Sequence, residues 1–364
     1  AEVTGVHGIT FLVVAVNAAI ADIAWATRER ASRAPAAAGL GLATLLVAAT
    51  MGYGVMRLGI PIAAAGPRTD VAVVQAHLPL GSQWKRSFYG RNLETYLRLS
   101  LEVLRATRPR LLIWPENAMT FFLADEPSYR ASIGSVLAPF GAELVAGGPY
   151  TAPGGEPPFR NSAFLLAPDG RIRSRYDKQI LLPFAEYFPL GRFDILRRRF
   201  GRVREFIPGD EPALLDTAAG RVGVVICNEG FFGAPAAERV RAGATLLVNL
   251  ANDSWLAAPK YSEPAFDMVT LRAVEQRRWI VRASTAGPSA IVDPFGRVVQ
   301  RTALFQSATL AGAVEPIDIV TPYNRLGDAF AWGCVVATVL AAFARRGTRL
   351  PANVGENRTA QVGT

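Results

Sequence analysis

Two apolar runs of this chain end on a residue able to do chemistry, and a third surrounds one. "LLIWPE" (111–116) ends on Glu116 and "VGVVIC" (222–227) ends on Cys227. "RYDKQILLPF" (175–184) sets Lys178 between apolar groups, where a solvated lysine is not expected. A thiol with a pKa of about 8.5 needs a base or a cation beside it before it is a nucleophile at neutral pH. Histidine, the usual base, occurs only as His7 and His77, so a Cys–His or Ser–His arrangement is not expected. The base that remains is a carboxylate in an apolar pocket, its pKa raised by desolvation. A lysine ammonium would both lower the thiol pKa and hold a developing oxyanion. Glu116, Lys178 and Cys227 together would make an acyl-transfer site that needs no histidine, metal or cofactor. A plainer reading stays open: a lone buried cysteine serves packing, and Pro-Glu after a strand serves a turn.

Positioning such residues is work for the ends of strands. Short apolar strands are expected over 71–78, 111–116, 143–150, 161–170, 222–229 and 245–253, and in "WIVRAS" and "SAIVDPFGRVV". Helices are expected over 92–107 and about 262–277. This alternation predicts an α/β layered domain, in which ligands bind beyond the carboxyl ends of strands. Glu116, Cys227, Asn252 and Asp253 all fall there.

Half of the 364 residues are hydrophobic, and 39 basic against 30 acidic residues give a net charge of +9. No nucleic-acid-binding signature accompanies that charge, and long apolar runs turn the reading toward a membrane surface. Segments 8–27, 36–56 and 328–344 read as spans, the first weakened by Asn17 and Asp22. Arg28, Arg30 and Arg33 follow the first span, and Arg345, Arg346 and Arg349 follow the third. The positive-inside rule puts both clusters in the cytoplasm and the region between about 60 and 325 outside it. The stretch 191–206 alternates arginines with Phe and Leu and suits either anionic headgroups or a solvated loop. Two cysteines, Cys227 and Cys334, make no disulfide framework and no zinc site.

"LLIWPENAM", "YDKQILLPFAEYFPLG", "VVICNEGFF" and "LVNLANDSWL" follow one another in the order and spacing of the nitrilase (carbon–nitrogen hydrolase) superfamily. They most resemble its membrane-bound branch, the apolipoprotein N-acyltransferases. The resemblance covers about 70–319 and runs into the flanking spans. It implies a nitrilase-like α-β-β-α sandwich flanked by transmembrane helices. It further implies Glu116 as general base, Lys178 as oxyanion-stabilising lysine and Cys227 as nucleophile. Glu186 and Glu229 would be supporting glutamates, with the backbone N–H of Asn228 as second oxyanion donor. Trp84 resembles a tryptophan on a mobile loop over the family's active site, and Asn252 and Trp255 would line the substrate site.

The implied reaction moves an acyl chain from a phospholipid, phosphatidylethanolamine foremost, through a Cys227 thioester to the α-amine of a diacylglyceryl-cysteine apolipoprotein. Neither metal nor cofactor is implied, and the enzyme would be a monomer in a bacterial inner membrane, with its catalytic domain facing the periplasm or exterior. The expected division is a membrane region over 1–66, a catalytic domain over 67–319, a C-terminal span over 320–345 and a tail over 346–364. The family has eight spans against three here, and the chain starts at Ala1 rather than Met, so the resemblance implies missing N-terminal spans. Asn228 stands where the family has tyrosine, and "PKYSEPAF" (259–266) replaces its Gly-Pro-x-Gln-His-Leu. Two alternatives remain: a membrane-anchored nitrilase-like amidase or hydrolase using water as acceptor, and a non-catalytic binding module of the same fold.

Overall fold

The computed structural model describes residues 1–78, 85–151, 159–189, 206–255 and 258–347. Two long apolar helices come first, α1 (Val6–Arg28) and α2 (Ala34–Leu58). Their 23 and 25 residues rise about 35 and 38 Å, more than a hydrocarbon core of about 30 Å needs. Large apolar side chains such as Val14, Leu45 and Val55 point outward, while the buried positions are the alanines 19, 26, 36 and 43. Small residues at a buried seam let helices approach closely without water to drive them together. Asn17 does not weaken α1, because its Nδ2 donates to the Val13 carbonyl at 2.9 Å and is satisfied within the helix.

The central region alternates strands and helices: β1 (Thr69–Gln75), α3 (Tyr89–Thr107), β2 (Leu111–Trp114), α4 (Pro127–Leu137), β3 (Glu143–Thr151), β4 (Phe159–Leu166) and β5 (Ile172–Asp177). It continues through β6 (Leu214–Thr217), β7 (Gly220–Ile226), α5 (Gly233–Arg241), β8 (Leu246–Ala251), α6 (Pro259–Gln276) and β9 (Ile280–Ser284). The last elements are β10 (Ala290–Val292), β11 (Val298–Arg301), β12 (Ala308–Val314), α7 (Pro322–Leu326) and α8 (Ala329–Gly347). Among the described residues the strands form two six-stranded sheets, in the orders β12-β1-β2-β3-β4-β5 and β11-β10-β9-β8-β7-β6. β1, β2 and β3 are parallel, as are β7, β8 and β9.

Each sheet is apolar on both faces, as parallel strands covered on both sides must be. Val71, Val73, Leu111, Ile113, Val222, Val224, Val248 and Val281 fill the space between the sheets. Leu112, Trp114 and Leu144 turn outward onto Tyr96, Leu99 and Val103 of α3 and Ile133 of α4. Leu247, Ile280 and Val292 turn outward onto Val240 of α5 and Phe266 and Val269 of α6. The result is a four-layer α-β-β-α sandwich.

The apolar helices are tied to this sandwich at one end. The Glu2 carboxylate accepts from Arg57 Nε of α2 at 2.6 Å, from Arg277 Nε after α6 at 2.5 Å and from the Tyr53 hydroxyl. The Val6 N–H at the start of α1 donates to Glu275 of α6 at 2.9 Å. The rings of Phe11 and Phe330 meet edge-on at 5.6 Å, near the start of α1 and of α8. The segment expected as one span over 320–345 is two helices. α7 is capped by Thr321, and the chain breaks at Gly327, whose φ of +55° ends the turn before α8 begins. The apolar part of α8, Ala329–Ala344, is shorter than α1 or α2.

Candidate active site

Four loops at strand ends converge on one cavity of about 300 Å³. Glu116 lies two residues beyond β2, Lys178 directly beyond β5, Cys227 directly beyond β7 and Asn252 directly beyond β8. All four line the cavity, with Asn161, Glu186 and Trp255. Asn252 is held by Thr285 Oγ1, which donates to its Oδ1 at 2.8 Å. Trp255 is half exposed at the cavity's edge. Trp84 and residues 191–205 lie outside the described residues.

Lys178 is almost wholly enclosed, at 1% exposure. Its Nζ donates to Glu186 Oε2 at 2.7 Å and stands 3.9 Å from Glu116 Oε1. Glu186 is set in place by the Leu182 N–H, 2.7 Å from the same Oε2. Asn161 Nδ2 donates to Oε1 of Glu116 and to Oε1 of Glu186, both at 2.7 Å. Glu116 Oε2 is buried with no hydrogen-bond partner among the described residues.

Cys227 opens a 3-10 turn (Cys227–Phe231) with φ of +53°, a left-handed conformation unusual without glycine. Asn117, beside Glu116, and Phe184, in the turn that carries Glu186, are left-handed too, at +53° and +63°. Outliers of this kind cost energy and gather where surrounding structure holds them for a purpose. Part of that hold is Glu229, which is fully buried. Its Oε2 accepts from the Ile226 N–H at 2.7 Å, one residue before the cysteine. Its Oε1 accepts from the Gln179 and Ile180 N–H groups at 2.7 and 3.1 Å, directly after the lysine. One carboxylate therefore bolts the thiol turn to the lysine loop. The Tyr176 hydroxyl, 2.8 Å away, and the Arg239 guanidinium, at 3.7 Å, balance its charge.

The charges are coupled across the cavity. Burial, then the nearby Glu116 carboxylate, pushes the Cys227 thiol above its ordinary value, and Lys178 opposes both. Burial also raises Glu116, helped by Glu186, while Lys178 and the hydrogen bond from Asn161 pull it down. Burial would lower Lys178, but Glu116, Cys227 and Glu186 outweigh it and keep the ammonium charged. A carboxylate hungry for a proton thus sits beside a thiol that holds one, with a fixed cation beside both. Such a site suits proton transfer followed by nucleophilic attack on a carbonyl.

Sequence reasoning missed Asn161, Tyr176 and Arg239. Tyr176 lay inside the quoted lysine motif, but only folding brings it to Glu229. Asn161 lay at the start of an expected strand with nothing to mark it. Asn228 is buried, and its Oδ1 has no partner among the described residues.

Residues 70–320 match the family described as Carbon-nitrogen hydrolase, and the chain belongs to that family. Within it, the sequence is 38% identical to the apolipoprotein N-acyltransferase of Geobacter metallireducens, over 95% of this chain and 67% of that protein. It is 30% identical to the apolipoprotein N-acyltransferase of Caulobacter vibrioides, over 95% of this chain and 66% of that protein. The chain spans about two thirds of the length of these relatives. The amidase from Nesterenkonia sp. AN1 aligns with a TM-score of 0.54 at 18% identity, over 75% of this chain and 98% of that one. Nit3 of Saccharomyces cerevisiae aligns at 0.53 and 18%, over 70% and 93%. These two likenesses define the fold, a nitrilase-type sandwich.

Proposed function

We propose that this chain transfers a fatty acyl chain from a phospholipid, through a Cys227 thioester, to the N-terminal amine of a diacylglyceryl-cysteine apolipoprotein. One observation carries the reading. The likeness to apolipoprotein N-acyltransferases runs through both apolar helices as well as the sandwich that holds Glu116, Lys178 and Cys227. An amidase acting on a soluble substrate needs no such helices.

The Cys227 sulfur attacks the ester carbonyl carbon while Glu116 takes the thiol proton. The tetrahedral oxyanion is held by the Lys178 ammonium and the Asn228 N–H. Its collapse breaks the ester C–O bond, Glu116 returns the proton to the departing oxygen, and lysophospholipid leaves. The acceptor amine then attacks the thioester carbonyl and gives a proton to Glu116. The C–S bond breaks, and the proton returns to sulfur. Glu186 and Glu229 act by position, Glu186 on Lys178 and Glu229 on both loops.

The helices support a reading of orientation. α1 and α8 both start at the sandwich, so Arg28 and the Arg345–Arg346 pair end on the opposite side. Together with Arg30 and Arg33 they favour, by the positive-inside rule, that side as cytoplasmic and the catalytic domain as periplasmic or exterior. Asn252 and Trp255 contact substrate, phosphatidylethanolamine is the donor, and the enzyme works as a monomer.

Intact-mass analysis of the detergent-solubilised protein with phosphatidylethanolamine tests this. The expected result is a gain of one acyl chain, labile to hydroxylamine, absent in Cys227→Ala and discharged by a diacylglyceryl-cysteine peptide. Discharge by water as fast as by peptide would favour the hydrolase instead. A folded protein that forms no adduct would sink the mechanism.

A further inference from the structure

Asn161 stands at the centre of the site's hydrogen bonds. It sits on β4 at 3% exposure. Its single Nδ2 donates to Glu116 Oε1 and to Glu186 Oε1, both at 2.7 Å. Its backbone carbonyl accepts the Lys178 N–H at 2.8 Å. Lys178 Nζ closes the figure on the far side, at 2.7 Å from Glu186 Oε2 and 3.9 Å from Glu116 Oε1. Asn161, Glu186, Lys178 and Glu116 therefore form a ring in which every member touches at least two others.

Two carboxylates this near a single ammonium repel each other, and the common outcome is a shared proton on one of them. A base that already carries a proton cannot take another from a thiol. The Asn161 amide answers this with one hydrogen for each carboxylate and no added charge. It also makes the two oxygens of Glu116 unequal. Oε1 is occupied by the amide, whereas Oε2 is buried without a partner among the described residues.

We propose that Asn161 is a positioning residue for the reaction, fixing Glu116 and Glu186 in place, favouring the ionised form of Glu116 and reserving its Oε2 for the thiol proton. This rests on the reading of Glu116 as base and Cys227 as nucleophile. The direction of the Asn161 effect on Glu116, lowering its hold on a proton against burial and Glu186, agrees with it.

The experiment compares Asn161→Ala, Asn161→Ser and Asn161→Asp in a Cys334→Ala background, where Cys227 is the one remaining thiol. Two readouts are taken against pH: alkylation of Cys227 by iodoacetamide, and thioester formation from phosphatidylethanolamine. Losing both donors in Asn161→Ala should move the acid limb of each profile upward by about one pH unit. It should also slow thioester formation at pH 7 by about tenfold or more. Asn161→Asp, which adds a third carboxylate, should move the limb further than alanine, and Asn161→Ser, which keeps one donor, less far. Folded variants with unmoved limbs would overturn the proposal. Variants that all lose their melting transition would also overturn it, by making Asn161 a scaffold residue. Shifted alkylation limbs with no thioester even in the parent protein would support the positioning role while sinking the acyl-transfer reading.

Discussion

Cys227 and Glu116 bear opposite demands. In the proposed reaction the thiol must give up a proton it is held to by burial, and the carboxylate must take it while buried itself. Because folding raises the Glu116 pKa, the folded chain binds more proton there than the unfolded one. Stability falls as pH rises through the window above the ordinary carboxylate value. Glu116→Gln should therefore remove one pH-dependent destabilisation: its melting temperature should decline less than that of the parent as pH rises above the ordinary carboxylate range. The same variant should slow thioester formation by about 10²–10⁴-fold, the usual worth of a general base. In the parent, the acid limb of acylation should lie above the ordinary carboxylate range, because Glu116 must be unprotonated to act. The residues at this scale were the best marked in the sequence, since Glu116, Lys178, Glu186, Cys227 and Glu229 stand in quoted motifs. Asn161 was invisible because an asparagine in a strand acquires meaning only from partners 45 and 25 residues away.

Elements set the distances that those residues need. β3 runs so close to the Glu116 loop that a Cβ on Gly147 would lie 2.6 Å from Glu116 Cα and from the Pro115 carbonyl. The Gly147 N–H donates to that same carbonyl at 3.2 Å, and its own carbonyl accepts the Met119 N–H at 3.0 Å. Gly147→Ala should push the Glu116 loop outward. The expected cost is about 1–3 kcal/mol of stability, as overpacking commonly brings, with thioester formation slowed about 10²-fold through misplacement of the base. Denaturant melts and single-turnover mass measurements would check both, and unchanged acylation would show the loop tolerates the shift. The expected strands around the site appear within a few residues of their predicted ranges, because buried parallel strands are plain apolar runs. β5 was not expected: "IRSRYD" carries two arginines and a half-buried pattern, so its pairing with β4 is decided by the neighbour rather than by its own composition. β6, at four residues, offers too short a run to read.

At the scale of the whole molecule, Glu2 ties the apolar helices to the sandwich. Burial alone would raise its pKa, yet bonds from Arg277, Arg57 and Tyr53 bring it down to about 2. The folded value lies below the unfolded one, so this contribution is complete above the ordinary carboxylate range and is lost as pH falls toward 2. Glu2→Gln leaves two arginines without their carboxylate, and breaking such a buried cluster costs about 3–5 kcal/mol. Thermal unfolding in detergent should register that loss at pH 7 and much less of it at pH 3. The apolar helices themselves were plain from composition, but the anchor was not, since it joins positions 2, 57 and 277 through folding alone.

α1 and α8 both set out from the same end of the sandwich. A catalyst moored in this way does not meet its lipids by tumbling through a volume. Donor, acceptor and enzyme drift in one sheet, and their encounters are counted per unit area. What sets the pace of such a reaction is crowding in the plane: the fraction of neighbouring molecules that carry the right headgroup, not the amount dissolved in the surrounding water.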